Sequence, residues 1–217
     1  MSIKAVIFDL DGTLVDSIQG ISYSLNMMLT ENGFPVHSIE ECKRMVGNGF
    51  IELVRCAVPE GQRSNEEISI YLSRLRAVYE QHWGYGMYVY HGIEELLEYL
   101  QTHQISFAID TNKDEGVAKK IAAHFFPRFT FFRVSGTTPQ MPKKPDPARA
   151  LRILADLNLS PHQCLYLGDS EVDILTAKNA GFLPVGASWG FRGVEGLTRA
   201  GAENIIHKPM DLIHYLG

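Results

Sequence analysis

Residues 4–17 read KAVIFDLDGTLVDS. The apolar run Ala5–Phe8 has the length and the branched, aromatic character of a buried strand, yet Asp9, Asp11 and Asp16 follow within the next eight residues. Taking a carboxylate out of water costs several kcal/mol unless a partner compensates it. The stretch therefore demands counter-charge from elsewhere in the chain, or a wet loop. Asp9 and Asp11 are two apart, so in extended backbone both point to one side while Phe8 and Leu10 point to the other. An EF-hand is excluded, because its glycine belongs at loop position six and its glutamate at twelve. Counted from Asp9, Gly12 stands fourth and Gly20 twelfth. A hard cation held by few carboxylates, with water or phosphate completing its shell, is the pattern of Mg²⁺.

The bulk properties narrow the setting. A chain of 217 residues suffices for one sizeable core, or a core with a smaller appended domain. Its 45 % hydrophobic and 21 % charged residues fit an ordinary globular protein. A net charge of −5, with basic residues scattered apart from two Lys–Lys pairs, argues against nucleic acid as a partner. Cys42, Cys56 and Cys164 form no paired spacing, which makes a reducing cytoplasm the expected compartment. No apolar run approaches the ~18–20 residues that span a bilayer, so no membrane association is expected. Charge interrupts the N-terminus too early for a secretory signal.

Outward from the opening stretch, short apolar runs alternate with helical patterns, which predicts a parallel sheet flanked by helices in the Rossmann-like α/β manner. Strands are expected near 4–9, 105–110, 130–134, 163–167 and 183–187, with a weaker one near 204–206. Helices are expected near 92–103, 114–125, 147–158, 171–180 and 209–216. Residues 17–83 break the alternation. Ile18, Ile21, Leu25 and Met28 recur at helical spacing, Gly33 suits a stop, and Ser38…Glu41 and Ser64…Glu67 have capping-box spacing. The expectation is an α/β core of residues 1–16 and 84–217, interrupted by an all-helical domain of residues 17–83, with Gly84 and Gly86 at the returning hinge.

Ligands in open α/β sheets bind outside the carboxyl ends of the strands. Four predicted strands deliver polar groups there: Asp9-Leu10-Asp11-Gly12-Thr13, Thr111-Asn112-Lys113, Lys143-Lys144-Pro145-Asp146-Pro147 after a loop, and Gly168-Asp169-Ser170 with Asp173 four residues beyond Asp169. In this order and spacing, FDLDGTLVDS, TNK, KKPDP and GDSEVD resemble the four signature motifs of the haloacid dehalogenase-like hydrolases, and the helical insert resembles that family's cap. Within the family, Arg44-Met45-Val46-Gly47-Asn48-Gly49 and the KKPDP run most resemble the phosphoglycolate phosphatase-like members.

The resemblance implies a Mg²⁺-dependent phosphatase that acts on a small phosphorylated metabolite through an aspartyl phosphate, with phosphoglycolate the favoured substrate. It makes Asp9 the nucleophile and Asp11 the acid that protonates the leaving alcohol, then the base that activates water. Thr111 would hydrogen-bond a phosphoryl oxygen, and Lys144 would neutralise charge on Asp9 and the transferring group. Lys144 is preferred to Lys143 because the family's lysine directly precedes proline. Asp9, Asp169 and the Asp11 backbone carbonyl would hold the metal, with Asp173 supporting it. Gly12, Thr13 and Asn112 would line the phosphate site. Gly47, Asn48 and Gly49 would contact the organic part of the substrate as the cap closes.

Competing readings stand beside these. Thr111 could start a helix, Asp173 could be an ordinary first-turn acid, and Gly47–Gly49 could be only a helix–helix turn. Asp16 and Ser17 are expected to cap the first insert helix, and Arg44 to be either a solvated helix residue or a carboxylate reader. Trp189 and Phe191 could line the cleft or fill the core. Asp110 sits where an apolar residue is easier to bury; it either faces solvent beside the cleft or perturbs Thr111 and Lys144. The same chemistry could serve a sugar phosphomutase resembling β-phosphoglucomutase. A silent phosphate-binding regulator is a further alternative, disfavoured by the complete set of reactive residues.

Overall fold

The alternation of apolar runs and helices resolves into one parallel sheet and a separate group of helices, described for residues 2–217 in a computed structural model. In chain order the strands are β1 Ala5–Phe8, β2 Val15–Asp16, β3 Tyr88–Val89, β4 Ser106–Asp114, β5 Val134–Thr137, β6 Cys164–Gly168, β7 Leu183–Ala187 and β8 Ile205–Ile206. The helices are α1 Ile18–Glu31, α2 Ile39–Met45, α3 Phe50–Ala57, α4 Asn65–His82, α5 Ile93–Thr102, α6 Glu115–Phe125, α7 Ala148–Asp156, α8 Glu171–Ala180 and α9 Gly193–Arg199. Pro209–Tyr215 is a 3₁₀ segment rather than the expected α-helix. No described helix is long and apolar enough to cross a membrane.

The chain forms two compact units, residues 1–15 with 89–217, and residues 16–88. In the first, the sheet order is β5-β4-β1-β6-β7-β8, parallel throughout. Strand alternation sends Ala5, Ile7, Ala108, Cys164 and Tyr166 into one apolar layer, where Ala150, Ile153 and Leu154 of α7 and Ala177 and Ala180 of α8 meet them. Val6, Phe8, Phe107, Ile109, Leu165 and Leu167, on the alternate positions, are equally buried. A strand buried on both faces has no polar side to show, which explains why β1 and β6 read as unbroken apolar runs.

The second unit is helical. Ile18, Ile21, Leu25 and Met28 are all buried on α1, and Gly33 adopts the left-handed φ of +70° just beyond it. Both capping boxes form: Ser38 with Glu41 at α2, and Ser64 with Glu67 at α4. Asp16 rather than Ser17 caps α1, accepting the Ile18 N–H at 3.0 Å.

Two strands also differ from expectation. Residues 130–133 lie outside the regular strand, which starts at Val134, although the Phe132 N–H donates to the Phe107 carbonyl at 2.8 Å and the Arg133 carbonyl accepts from the Ile109 N–H at 2.9 Å; Phe131 packs edge-on against Phe107 and Phe126. Phe131 turns into that aromatic group, whereas Phe132 is 43 % exposed. Conversely β4 runs on through Thr111-Asn112-Lys113 to Asp114, because Asp114 still pairs with Thr137 of β5 across a register shift. Thr111 therefore lies in a strand, and Asp114 caps α6.

Ile7 is fully buried in the central strand, so Ile7→Ala is expected to lower stability by about 2–5 kcal/mol. Leu151→Ala, on the exposed side of α7, should stay within about 0.5 kcal/mol. Urea unfolding followed by circular dichroism measures both.

Candidate active site

β1 lies between β4 and β6, so the sheet changes direction at its centre there, the place where α/β sheets open a crevice. Phe8 is in register with Ile109 on one side and Leu167 on the other. The next residues, Asp9, Asp110 and Gly168, therefore lie at one level. Asp169 follows on the β6–α8 connection and Asp173 in the first turn of α8, and Lys144 arrives from the segment after β5.

Lys144 is 4 % exposed. Its Nζ lies 2.9 Å from Asp9 Oδ1 and 2.6 Å from Asp173 Oδ1, and donates to the Asp110 carbonyl at 3.0 Å. Of the two lysines, Lys144 is the one that lies beside these acids; Lys143 is half-buried next to it. The contact to Asp9 is an ion pair without hydrogen-bond alignment, which leaves buried Asp9 Oδ1 with no hydrogen bond inside the fold. Burial raises the Asp9 carboxyl to about 7, with Lys144 opposing the shift and Asp173 reinforcing it. Burial alone would lower Lys144, but Asp173, Asp9 and Asp110 outweigh it and hold the ammonium above the usual lysine range. Asp169 is raised well above the carboxylate range by burial, then by Asp173 and Asp9.

Asp11 is directed elsewhere. Both its oxygens accept from Lys113 Nζ at 2.9 Å, and the Lys113 side chain is only 3 % exposed. The sequence reading gave Lys113 no role. Thr111 Oγ1 accepts the Lys113 N–H at 3.2 Å, which leaves the hydroxyl proton for donation.

Two residues expected to line the phosphate site are engaged within the fold instead. Thr13 is fully buried and donates to Asp169 Oδ1 at 3.3 Å. The Asn112 amide grips the Lys144 backbone, accepting its N–H at 2.9 Å and donating to its carbonyl at 3.1 Å. Asp173 is likewise committed: Oδ2 accepts the Ser170 N–H and hydroxyl, while Oδ1 faces Lys144. Gly47, Asn48 and Gly49 belong to the helical unit, in the turn between α2 and α3, with Gly47 and Gly49 at φ +124° and +81°. Arg44 stands in the last turn of α2.

The loop after β7 completes the site. Phe191 N donates to Asp169 Oδ2 at 2.7 Å, and Trp189 Nε1 donates to the Thr13 carbonyl at 3.0 Å. Trp189 and Phe191 thus act as a polar clamp as well as packing residues. A Cβ on Gly190 would come within 2.2 Å of the Asp169 Cβ, and one on Gly12, at φ +87°, within 2.4 Å of Asp169 Oδ2. Only backbone fits against Asp169 on those two sides.

A model of the haloacid dehalogenase-like hydrolase family matches residues 6–187. The chain belongs to the haloacid dehalogenase-like hydrolases. It is 35 % identical to a phosphoglycolate phosphatase of Pseudomonas savastanoi pv. phaseolicola, over 87 % of this chain and 70 % of that protein. It is 31 % identical to a phosphoglycolate phosphatase of Psychrobacter arcticus, over 100 % of this chain and 96 % of the relative. Among solved structures, a haloacid dehalogenase-like family protein from Streptococcus pneumoniae superposes with TM-score 0.88 at 27 % identity, covering 99 % of each chain.

Charge decides whether this haloacid dehalogenase-like site suits a divalent cation. Carboxylate oxygens of Asp9, Asp169 and Asp173 lie within 4.8 Å of one another, and all three residues are buried. Asp11 is balanced by Lys113 and Asp110 by Arg149, which leaves three acids facing the single ammonium of Lys144. The deficit is two charges, that of a divalent ion. Asp173 faces a cation, Lys144, at 2.6 Å, whereas the Asp169 oxygens accept only from the neutral donors Thr13 and Phe191 N–H, so Asp9 and Asp169 are the carboxylates that could hold an ion.

The raised Asp9 carboxyl sets a sign for pH. Between the unfolded value near 4 and the folded value near 7, the native state holds the extra proton. The metal-free protein should therefore lose stability as pH rises from 5 to 8, whereas millimolar Mg²⁺ or Mn²⁺ should flatten the trend by replacing that proton. Differential scanning calorimetry reads it; a metal-free melting temperature that rises across this window contradicts it. Gly190→Ala, which crowds Asp169, should weaken cation binding about tenfold or more by titration calorimetry.

Proposed function

We propose that the protein is a Mg²⁺-dependent phosphatase that forms an aspartyl phosphate on Asp9, with phosphoglycolate as its substrate and a reducing cytoplasm as its setting. The observation that carries this reading is Asp9 itself: a buried carboxylate at the end of the central strand, within 2.9 Å of an ammonium and beside Asp169. The phosphoglycolate phosphatases to which the chain is related support the choice of substrate, and the three cysteines are free.

In this reading an Asp9 oxygen attacks phosphorus as the ester P–O bond breaks, and the leaving alkoxide takes a proton from Asp11. Asp11 then removes a proton from water, whose oxygen displaces Asp9 and releases inorganic phosphate. Lys144 has its charge fixed beside the reacting oxygens before reaction begins, so no reorganisation is needed as negative charge spreads over the phosphoryl group. Thr111 supplies a hydroxyl donor to that group. Mg²⁺, held by Asp9 and Asp169, would supply neutralising charge at the phosphoryl oxygens. Thr13 and Asn112 serve as positioning residues, the first for Asp169 and the second for Lys144.

The test is phosphate release from a panel of phosphomonoesters with Mg²⁺, ranked by kcat/KM. Phosphoglycolate should rank first, and Asp9→Asn should lower kcat by about three orders of magnitude or more. Full activity in Asp9→Asn would overturn the mechanism, and a different leading substrate would overturn the choice of metabolite.

A further inference from the structure

Behind the catalytic edge lies a buried ion pair that the proposed chemistry does not use. Asp110 is fully buried and Arg149 is 3 % exposed; Arg149 Nε lies 2.8 Å from Asp110 Oδ1. Strand parity explains the placement. Ala108 faces the layer under α7, so Asp110, two residues on in β4, faces it too, and Arg149 opens α7 there. The burial of such a pair is costly and is not by itself a gain in stability. What it touches is therefore informative.

Both members reach Lys144. Arg149 Nη2 donates at 3.1 Å to Asn112 Oδ1, the same oxygen that accepts the Lys144 N–H, while Asn112 Nδ2 donates to the Lys144 carbonyl. A guanidinium offers only donors. With Arg149 in place, the Asn112 amide can present only its oxygen on that side; turned over, its NH₂ would face the guanidinium and the Lys144 N–H together. At the other end of the lysine, the Asp110 carbonyl accepts from Nζ at 3.0 Å and from the Tyr166 hydroxyl at 2.9 Å. A closed ring results: Lys144 Nζ to Asp110, Asp110 to Arg149, Arg149 to Asn112, and Asn112 back to the Lys144 backbone. All four residues are at least nine-tenths buried.

We propose that Asp110 and Arg149 are positioning residues for catalysis, which fix the backbone and ammonium of Lys144 through Asn112 and the Asp110 carbonyl. The pair has a second effect through charge. Arg149 neutralises the Asp110 carboxylate, so the Lys144 ammonium stays committed to Asp9 and Asp173 instead of turning toward a third acid.

The inference rests on the role of Lys144 in the proposed phosphatase, and the experiment separates the two. Steady-state kinetics on phosphoglycolate and on p-nitrophenyl phosphate, with Mg²⁺ and at least 15 °C below each melting temperature, would compare wild type, Lys144→Met, Arg149→Lys and the paired Asp110→Leu, Arg149→Met. Arg149→Lys keeps the charge but cannot span Asp110 and Asn112 together; the paired change removes both charges and keeps apolar volume. Each should lower kcat per folded molecule about tenfold or more, with KM within about threefold. A merely structural role would lower the melting temperature and leave kcat per folded molecule unchanged. If Lys144→Met is inactive while either folded variant keeps kcat within twofold of wild type, the positioning role is wrong and the phosphatase reading stands. Full activity in Lys144→Met overturns both.

Discussion

One ammonium holds the catalytic edge of the sheet together. Lys144 lies within 2.9 Å of Asp9 and 2.6 Å of Asp173, in a layer from which water is excluded. Removing one partner of a buried pair costs about 3–5 kcal/mol, because the charge left behind has neither water nor a counter-ion. Here the loss would strand two acids beside a third, Asp169, already pushed toward its neutral form. The other features of the site follow from keeping that single charge in place. Asn112 holds the lysine's backbone, Tyr166 and Lys144 share the Asp110 carbonyl, and Ser170 occupies the far oxygen of Asp173.

Environment rather than residue type divides the labour among the aspartates of FDLDGTLVDS. Asp9 is buried among acids and is raised to about 7. Asp11, two residues on and mostly buried, has its own cation in Lys113. Asp16 accepts the Ile18 N–H at the start of α1 and the Tyr88 hydroxyl. Attack on phosphorus requires a carboxylate that is poorly solvated yet charged, whereas proton transfer requires one that can exchange partners. In the proposed reaction a bound cation would keep the buried Asp9 charged, and Asp11 would carry the proton beside Lys113.

Much of this was legible because it follows from local rules. Short apolar runs marked β1, β6 and β7, and Ser–x–x–Glu spacing marked the starts of α2 and α4. The strand ends then brought Asp9, Lys144 and Asp169 together through the general geometry of parallel sheets. What escaped was set by tertiary partners. Lys113 looked like a loop residue because nothing local shows that β4 continues to Asp114; only pairing with Thr137 of β5 does. Phe131 looked like strand because a core-filling aromatic and a strand aromatic share one composition. Gly190 gave no signal, since its need to be glycine comes from Asp169, distant in sequence. The Asp110–Arg149 pair did leave a trace. Parity already places Asp110 on the face of Ala108, and a carboxylate there requires a cation from the covering helix.

The topology also explains how residues 16–88 can interrupt such a closely balanced site. The three segments that build the site around Asp9, ending in Thr111–Lys113, Lys144 and Asp169–Asp173, all lie downstream of the interruption, in the same unit as β1, and Lys144 among them supplies its counter-charge. The chain leaves that unit at Val15–Asp16 and returns at Tyr88–Val89, and these two short strands pair with each other. An insertion whose ends are already adjacent adds little loop-closure cost, because that cost grows only with the logarithm of loop length. The registers of Phe8 with Ile109 and Leu167 depend on strands β4 and β6, not on what the chain does between β1 and β4. The position of Asp9 is thus fixed from both sides of β1, whatever length of helical chain intervenes.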